Sequence, residues 1–404
     1  MTAPLAEKLV VDDLAAFGGR QLFDRPRSTS NLSKPDIERF LSYSRIFFDA
    51  HRYSNAGPVV AMLEARLAEF HDVRRCVSTV SGFWALVLGM KALALPGRSQ
   101  VVMPSLSYRR LADATVWAGL TPFFCEVDAS TLAPTPETVS RCIGDDTALI
   151  VATHPIVNCC DAEGLSELAA QQRLPILFDS VESVYETVGG RRTGAFGNAE
   201  LFSLHASKLL NGFEGGYLTT ADEDLADRLE LIRAFGFLTQ DTVVGLGTNA
   251  KLNEIHASMA MASLDDLERQ VAHNRAGYEA YVSALSEIDG IRILRFDESE
   301  RPAFKNIVVE LGDEWPLGRD QTVGLLNAEG AFARAYYSPA LHMTAPAYPT
   351  LHGDLSLTEE LSKHFVVLPS GHQVDTADIC GIAQLLSFLR ANAEEIGRRR
   401  EAGA

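Results

Sequence analysis

No cysteine pair, basic patch or long apolar run organises this chain. Its 6 cysteines are scattered over 404 residues, with none at CxxC spacing. Cys159 and Cys160 are adjacent, which suits neither a zinc knuckle nor a simple disulfide. The expectation is therefore reduced, buried thiols in a cytoplasmic protein. Positive charge is also scarce: 36 lysines and arginines face 53 acidic residues, for a formal net charge of -17. Nucleic-acid binders gain affinity by replacing counterions with basic side chains, so this balance argues against such a partner. The groups Arg109-Arg110, Arg191-Arg192 and Arg398-Arg399-Arg400 are too short to reverse it. The last is expected to suit the dipole at the end of a final helix. A small anionic substrate stays compatible, since pocket charge need not follow net charge. No stretch is long and apolar enough to span a bilayer. The start, Met1 to Lys8, lacks the basic region and apolar run of a signal peptide, so neither export nor a membrane partner is expected. Solenoid repeats, low-complexity segments and metal-ligand spacings are missing as well.

What is present is the balance of an ordinary globular protein, 47% hydrophobic and 22% charged. From about Arg75 to Ala221, short β-branched or apolar runs alternate with longer amphipathic stretches. Strands are expected at Val101–Met103, Leu149–Ala152, Pro175–Phe178, Leu201–Leu204 and Tyr217–Thr220. Helices are expected at Phe83–Leu95, Leu111–Ala118 and Ala162–Gln172. Such alternation implies a mostly parallel sheet covered by helices on both faces, the α/β class. Ligands of these sheets sit beyond the carboxyl ends of the strands, where Ser107, Asp179 and His205 fall. After Asp222 the pattern turns helical, most strongly over Leu252–Arg269. Strands at Ile307–Glu310 and Phe365–Leu368, in a lobe whose own pattern begins near Ile291, precede a helix from Asp375 to about Gly397. The expected organisation is an N-terminal arm over 1–50, a large domain over 51–270 and a small C-terminal α/β domain over 271–404. The arm is expected to lie over the surface or over a partner subunit.

The segment from Gly194 to Gly216 concentrates the chemistry. An apolar strand, Leu201-Phe202-Ser203-Leu204, runs into His205-Ala-Ser-Lys208, and Glu214-Gly215-Gly216 brings the chain back. Most lysines are solvated surface groups. Lys208 lies between an apolar run and a Gly-rich one, so a partly enclosed turn is expected. A desolvated amine there loses its proton more readily and can attack an aldehyde. Asp179 closes the strand before it, as a carboxylate in a site or as a cap for the next helix. Ser81-Gly82 precede the helix that begins at Phe83, and helix N-termini suit phosphate as readily as they take a plain Ser cap. Tyr108, at a strand end, is either core or a stacking surface.

These landmarks resemble the DegT/StrS group of fold-type-I aminotransferases, whose pattern runs Gly-x-Phe-Gly-x, then Phe-Ser-x-His-x-x-Lys, then Gly-Glu-Gly-Gly. Phe213 stands here in place of the Gly before Glu214. The likeness extends over roughly residues 15–390. It implies pyridoxal 5'-phosphate as cofactor, held by Lys208 as a Schiff base, with Asp179 on the pyridine nitrogen. It places Tyr108 on the ring face, and Ser81, Gly82, the backbone of Phe83, and Ser203 at the phosphate. The family usually has Thr at Phe83, so one hydroxyl contact is lost. Glu182 stands where Gln or His is usual beside the phenolic oxygen. An ionised Glu there would repel that oxygen, so it must be protonated, displaced or doing other work. His205 is placed near the cofactor, or is a structural group.

Asn249 and Lys251, in Gly247-Thr-Asn-Ala-Lys-Leu-Asn-Glu254, resemble the segment that enters the neighbouring subunit's site, which implies a homodimer with shared sites. Asn55, in Asn-Ala-Gly57-Pro58, resembles the active-site lip. His154 and Asn158 sit where the family often reads Thr-His-x-x-Gly-Asn, with Val157 replacing the Gly. Tyr337 and His342 resemble a substrate-side segment. The expected reaction moves an amino group from L-glutamate, or another amino acid, to a keto-sugar, nucleotide-linked, or to a related cyclitol. The rival readings are a lyase or aldolase on the same cofactor, and a non-catalytic regulator that keeps the fold.

Overall fold

The computed structural model describes residues 8–30, 34–239, 241–344 and 346–403. Residues 1–7 and 31–33 of the expected arm lie outside the described residues, and so does nearly all of the start Met1 to Lys8.

An eight-stranded sheet forms the centre. In chain order its strands are β1 (Arg75–Thr79), β2 (Gln100–Pro104), β3 (Thr121–Cys125), β4 (Thr147–Thr153), β5 (Ile176–Asp179), β6 (Ala199–Ser203) and β7 (Gly216–Thr220). A smaller sheet takes β8 (Ile291–Ile293), β9 (Ile307–Leu311) and β10 (Arg334–Ala335). Then β11 (Leu351–His352) returns to the large sheet, and β12 (Phe365–Leu368) completes the small one. The large sheet runs β11-β3-β2-β4-β5-β6-β7-β1, and only β7 opposes its neighbours. The small sheet, β8-β9-β12-β10, is antiparallel throughout.

Because successive side chains of a strand point to opposite faces, the apolar runs divide cleanly. Val101, Met103, Leu149, Val151, Leu177 and Leu201 bury one face against the helices α3 (Gly82–Leu93), α4 (Leu111–Trp117) and α6 (Glu223–Arg233). Val102, Ile150, Ala152, Ile176 and Phe178 pack the other face against α5 (Ala162–Gln172). Two covered faces explain why these strands read as unbroken apolar runs rather than as an alternation. A third cluster joins α1 (Ile37–Asp49), α2 (Pro58–Phe70), α7 (Glu254–Asp265), α8 (Leu267–Leu285) and α9 (Thr376–Ala391) to the small sheet.

Several expectations shift. The helix over Leu252–Arg269 is two helices: Asn253 caps α7 by accepting the His256 N–H at 3.1 Å, and the chain breaks at Asp266 before α8 carries on to Leu285. Buried Val271, Tyr278, Tyr281 and Leu285 extend the apolar stripe beyond the expected end. The final helix also breaks, at Asn392, into α9 and Ala393–Gly403, where Arg399 pairs with Asp12 and Glu395. The described part of the arm lies over this chain's own surface. Arg27–Ser28 pairs in parallel with Ala331–Phe332, and the Glu329 carboxylate accepts the N–H groups of Ala15 and Leu22 at 2.7 and 2.8 Å. Within the C-terminal third, β11 pairs with β3 at the edge of the large sheet, so this part of the chain contributes to both sheets. All 6 cysteines are unpaired, but only Cys76, Cys125 and Cys160 are buried; Cys142 and Cys159 are half-buried, and Cys380 is exposed because it falls on the solvent side of α9. No helix among the described residues is long and apolar enough to cross a membrane.

Candidate active site

The parallel strands bring their carboxyl ends to one edge, and the chemistry-bearing residues gather there. Asp179 is the last residue of β5 and is 4% exposed. Its Oδ1 accepts the Val181 N–H at 3.3 Å. Burial pushes its carboxyl up to about 6, against the pull of that N–H and of Lys208. Lys208 follows β6 in a turn held by backbone bonds from Leu204 N–H to Gly215 at 2.8 Å and Ala206 N–H to Phe213 at 2.9 Å. Phe213, standing where the family pattern has Gly, takes φ 62, a region that favours glycine. Its N–H donates to Asn211 Oδ1 at 2.8 Å and its ring meets Phe40 edge-on, which holds it there.

The start of α3 is pressed against β6 and β7. A Cβ on Gly216 would lie 2.6 Å from the Gly82 nitrogen, and one on Gly82 would lie 2.8 Å from Ser203 Cβ. Glycine is required at both places by this close approach. Ser81 caps α3, its Oγ accepting the Trp84 N–H at 3.3 Å. The first N–H groups of the helix have no partner within it and sit at its positive end. Ser81, Gly82, the Phe83 backbone and Ser203 thus form one small anion-ready surface. The Phe83 ring turns away to meet Trp84.

Tyr108 follows β2 and is 41% exposed, so it is not core. Burial raises its hydroxyl's pKa, while Lys208 and Asp179 act on it in opposite senses, which puts the three groups in one pocket. Tyr337, at φ 38, faces the same place: burial raises its pKa most, and Glu182, Asp179 and Tyr108 add to the effect.

Glu182 carries the main surprise. Its Oε1 accepts from Lys208 Nζ, while its Oε2 accepts from Lys305 Nζ at 2.6 Å and from Asn306 Nδ2 at 3.1 Å. Burial alone would push this carboxyl up, but the two ammonium groups overcome it and hold Glu182 well below the usual carboxylate range. Of the three states open to it, Glu182 is ionised and engaged by lysines. The expectation that Lys208 loses its proton easily is overturned for the same reason. Burial does work against the ammonium, but Glu182 outweighs it and Lys208 lies above its ordinary value. Lys305 and Asn306 escaped the sequence reading. The available signal was a lysine and an amide set directly before the apolar run of β9.

The remaining expected residues have these partners within the chain. His154 is not open to substrate: its side chain is fully buried, stacked on Phe178, with Nδ1 accepting the Cys160 N–H at 3.2 Å. Burial lowers its pKa to about 3, so it is neutral. Asn158 ties two loops together, donating to the Arg295 carbonyl at 3.0 Å and accepting the Asp297 N–H at 2.8 Å. His342 is held by Ser105 at 2.7 Å and Glu359 at 3.3 Å. The His205 ring is engaged by Ser207 at 2.8 Å and lies 3.7 Å from Glu214. Asn55 sits at φ 59, exposed, its carbonyl accepting from Arg52. Asn249 and Lys251 bond each other at 2.8 Å, with the ammonium over the Phe235 ring.

A lysine, a buried carboxylate, an exposed aromatic and a helix-terminal anion surface at one sheet edge define a pyridoxal-phosphate enzyme of fold type I. Comparison with known proteins agrees. Residues 36–387 match the model of the DegT/DnrJ/EryC1/StrS aminotransferase family, and the chain belongs to that family. It is 32% identical to DesI, solved in the presence of its TDP-sugar product, with a TM-score of 0.91 over 97% of this chain and 100% of that one. It is 24% identical to dTDP-4-amino-4,6-dideoxy-D-glucose transaminase of Shigella dysenteriae, over 79% of this chain and 86% of the relative. It is 29% identical to L-glutamine:2-deoxy-scyllo-inosose aminotransferase of Streptomyces fradiae, over 70% of each. The protein is a pyridoxal-phosphate-dependent aminotransferase.

Proposed function

We propose that this enzyme moves an amino group from L-glutamate, or another amino acid such as L-glutamine, to a nucleotide-linked keto-sugar or a related cyclitol. The relatives named above act on substrates of these kinds. The observation that carries the reading is the grouping of Lys208, Asp179 and Tyr108 in one pocket, each within reach of the others' charge.

The residues fit pyridoxal phosphate. Lys208 offers an amine for the aldehyde, and Asp179 a buried carboxylate for the ring nitrogen. Tyr108 offers a face for the ring, while Ser203 and the start of α3 offer donors for the phosphate. When bound, the group supplies an aldehyde that takes up the amine and a ring that draws electrons from the adjacent carbon. Lys208 would carry the proton at Nζ, first as base and then as acid. Asp179 keeps the ring nitrogen's proton in place. The Glu182 carboxylate sets how readily Lys208 gives up its own proton.

We further propose a homodimer with shared sites, at work in the cytoplasm. The hairpin of Phe237–Thr239 and Thr242–Val243 and the loop after it expose Leu238, Val243 and Leu246 at 62%, 60% and 77%. Exposed apolar side chains grouped in this way suit a subunit contact. Asn249 and Lys251 lie just beyond, with Lys251 over the Phe235 ring. Six unpaired thiols agree with a reducing compartment.

The test is the absorbance of the cofactor-loaded protein before and after L-glutamate. Loss of the yellow band with stoichiometric 2-oxoglutarate supports the donor half-reaction. A band that ignores both L-glutamate and L-glutamine would sink the donor assignment.

A further inference from the structure

The Lys208 pocket holds one cation more than the chemistry above uses. The Lys305 side chain is 6% exposed, and its ion-pair partner is Glu182, at 2.6 Å. Lys305 and Asn306 stand immediately before β9, in the C-terminal part of the chain, and the Lys305 carbonyl accepts from Ser370 Oγ at 3.1 Å. Glu182 and Lys208 belong instead to the edge of the large sheet. One carboxylate therefore joins two regions, with a lysine from each on its two oxygens.

Charge accounts for this arrangement. A lone ionised carboxylate at the position of Glu182 would repel an anionic oxygen of the cofactor, and the family uses a neutral side chain there. A buried ammonium without a partner is equally unfavourable. Together, the formal charges of Lys208, Lys305, Glu182 and Asp179 sum to zero. Burial and the charge of Lys208 both push Lys305 below its ordinary value, and Glu182 opposes them. The other groups facing the set are Tyr108 toward Lys208, Tyr336 and Tyr337 toward Glu182, and Glu186 toward Lys305.

We propose that Glu182 and Lys305 act as one neutral unit in place of the Gln or His of the family, with Lys305 a positioning residue that works through Glu182. The ammonium cancels the charge of the carboxylate, and the Asn306 amide fixes the oxygen that Lys305 holds. The other oxygen is left to meet Lys208. This rests on pyridoxal phosphate binding at Lys208.

The experiment compares the wild type with Glu182→Gln, Lys305→Met and the double variant. In cofactor-free protein, the pH dependence of Lys208 acylation by acetic anhydride, read by peptide mass, reports the proton affinity of Lys208 itself. Lys305→Met should move its midpoint up, Glu182→Gln should move it down, and the double variant should fall between the two single variants. With pyridoxal phosphate added, the dissociation constant should rise about tenfold in Lys305→Met and recover to within about threefold in the double variant. A Lys305→Met midpoint that does not move, or a double variant that keeps the single variant's shift, would overturn the proposal. If Lys305→Met does not fold, Lys305→Gln removes the charge while keeping a donor and must give the same pattern. If none of the four proteins binds the cofactor, the functional reading fails, while the Lys208 midpoints still decide the fate of the pair.

Discussion

Two buried carboxylates flank the carboxyl end of β5, and they behave in opposite ways. Glu182 faces two ammonium groups and is held down as an anion. Glu200, in β6, has no ammonium bonded to it: the Ser180 hydroxyl and the N–H groups of Phe196 and Gly194 donate to it, the neutral His154 lies 3.9 Å away, and the pull of Arg191 is the weakest of its influences. Burial therefore pushes Glu200 up to about 7. Glu200 is fully enclosed and Glu182 keeps 13% of its side chain exposed, yet it is Glu182 that stays charged. What separates a reactive pocket from a structural one here is the charge of the neighbours and a path to the surface. Lys208 keeps 22% of its side chain exposed, whereas His154 and Glu200 keep none.

The sharpest attempt to break this comparison is Lys208→Ala. Turnover should fall about 10³-fold or more, and steady-state rates that persist would remove Lys208 from the mechanism. Asp179→Asn should lower kcat on the order of 10²-fold, since it keeps the shape and removes the charge. In cofactor-free protein at pH 8 the same variant should melt at a higher temperature, because the native carboxyl is raised to about 6 and its ionisation there opposes folding. Activity and stability moving in opposite directions is the outcome to look for. If both fall together, Asp179 is mainly structural.

Glu200→Gln tests the closed cluster through pH. The native carboxyl titrates near 7 and the unfolded one near 4.5, so the native state binds more protons between those values. Stability should fall as pH rises across that window, by about 3 kcal/mol at most for this group, and the slope should flatten in the variant. Melting curves at pH 5 and pH 8 measure it; an unchanged slope would mean Glu200 does not titrate there. The smallest effect belongs to His154→Gln. It should leave kcat/KM within about twofold, while stability drops by about 1–3 kcal/mol from the lost Cys160 bond. A large rise in KM would return His154 to the substrate side.

Local patterns made much of this legible. The apolar runs of β2, β4, β5 and β6 marked a sheet covered on both faces, and Asp179 and Lys208 stood at strand ends where such sheets place their ligands. Ser81, Gly82 and Ser203 converge as expected, because glycines at 82 and 216 allow the backbones to approach so closely. His154 and Asn158 could not be placed in this way. Their neighbours in sequence resemble a substrate loop, but burial against Phe178 and the bonds to Arg295 and Asp297 come from residues far along the chain.

By itself, then, the sequence determined the α/β class and put Lys208 and Asp179 at strand ends as candidates, since each depends on short-range spacing and on strand order. The tertiary structure alone decided the state of Glu182. A buried group takes its charge from whatever packs against it, and Lys305 lies 123 residues away along the chain.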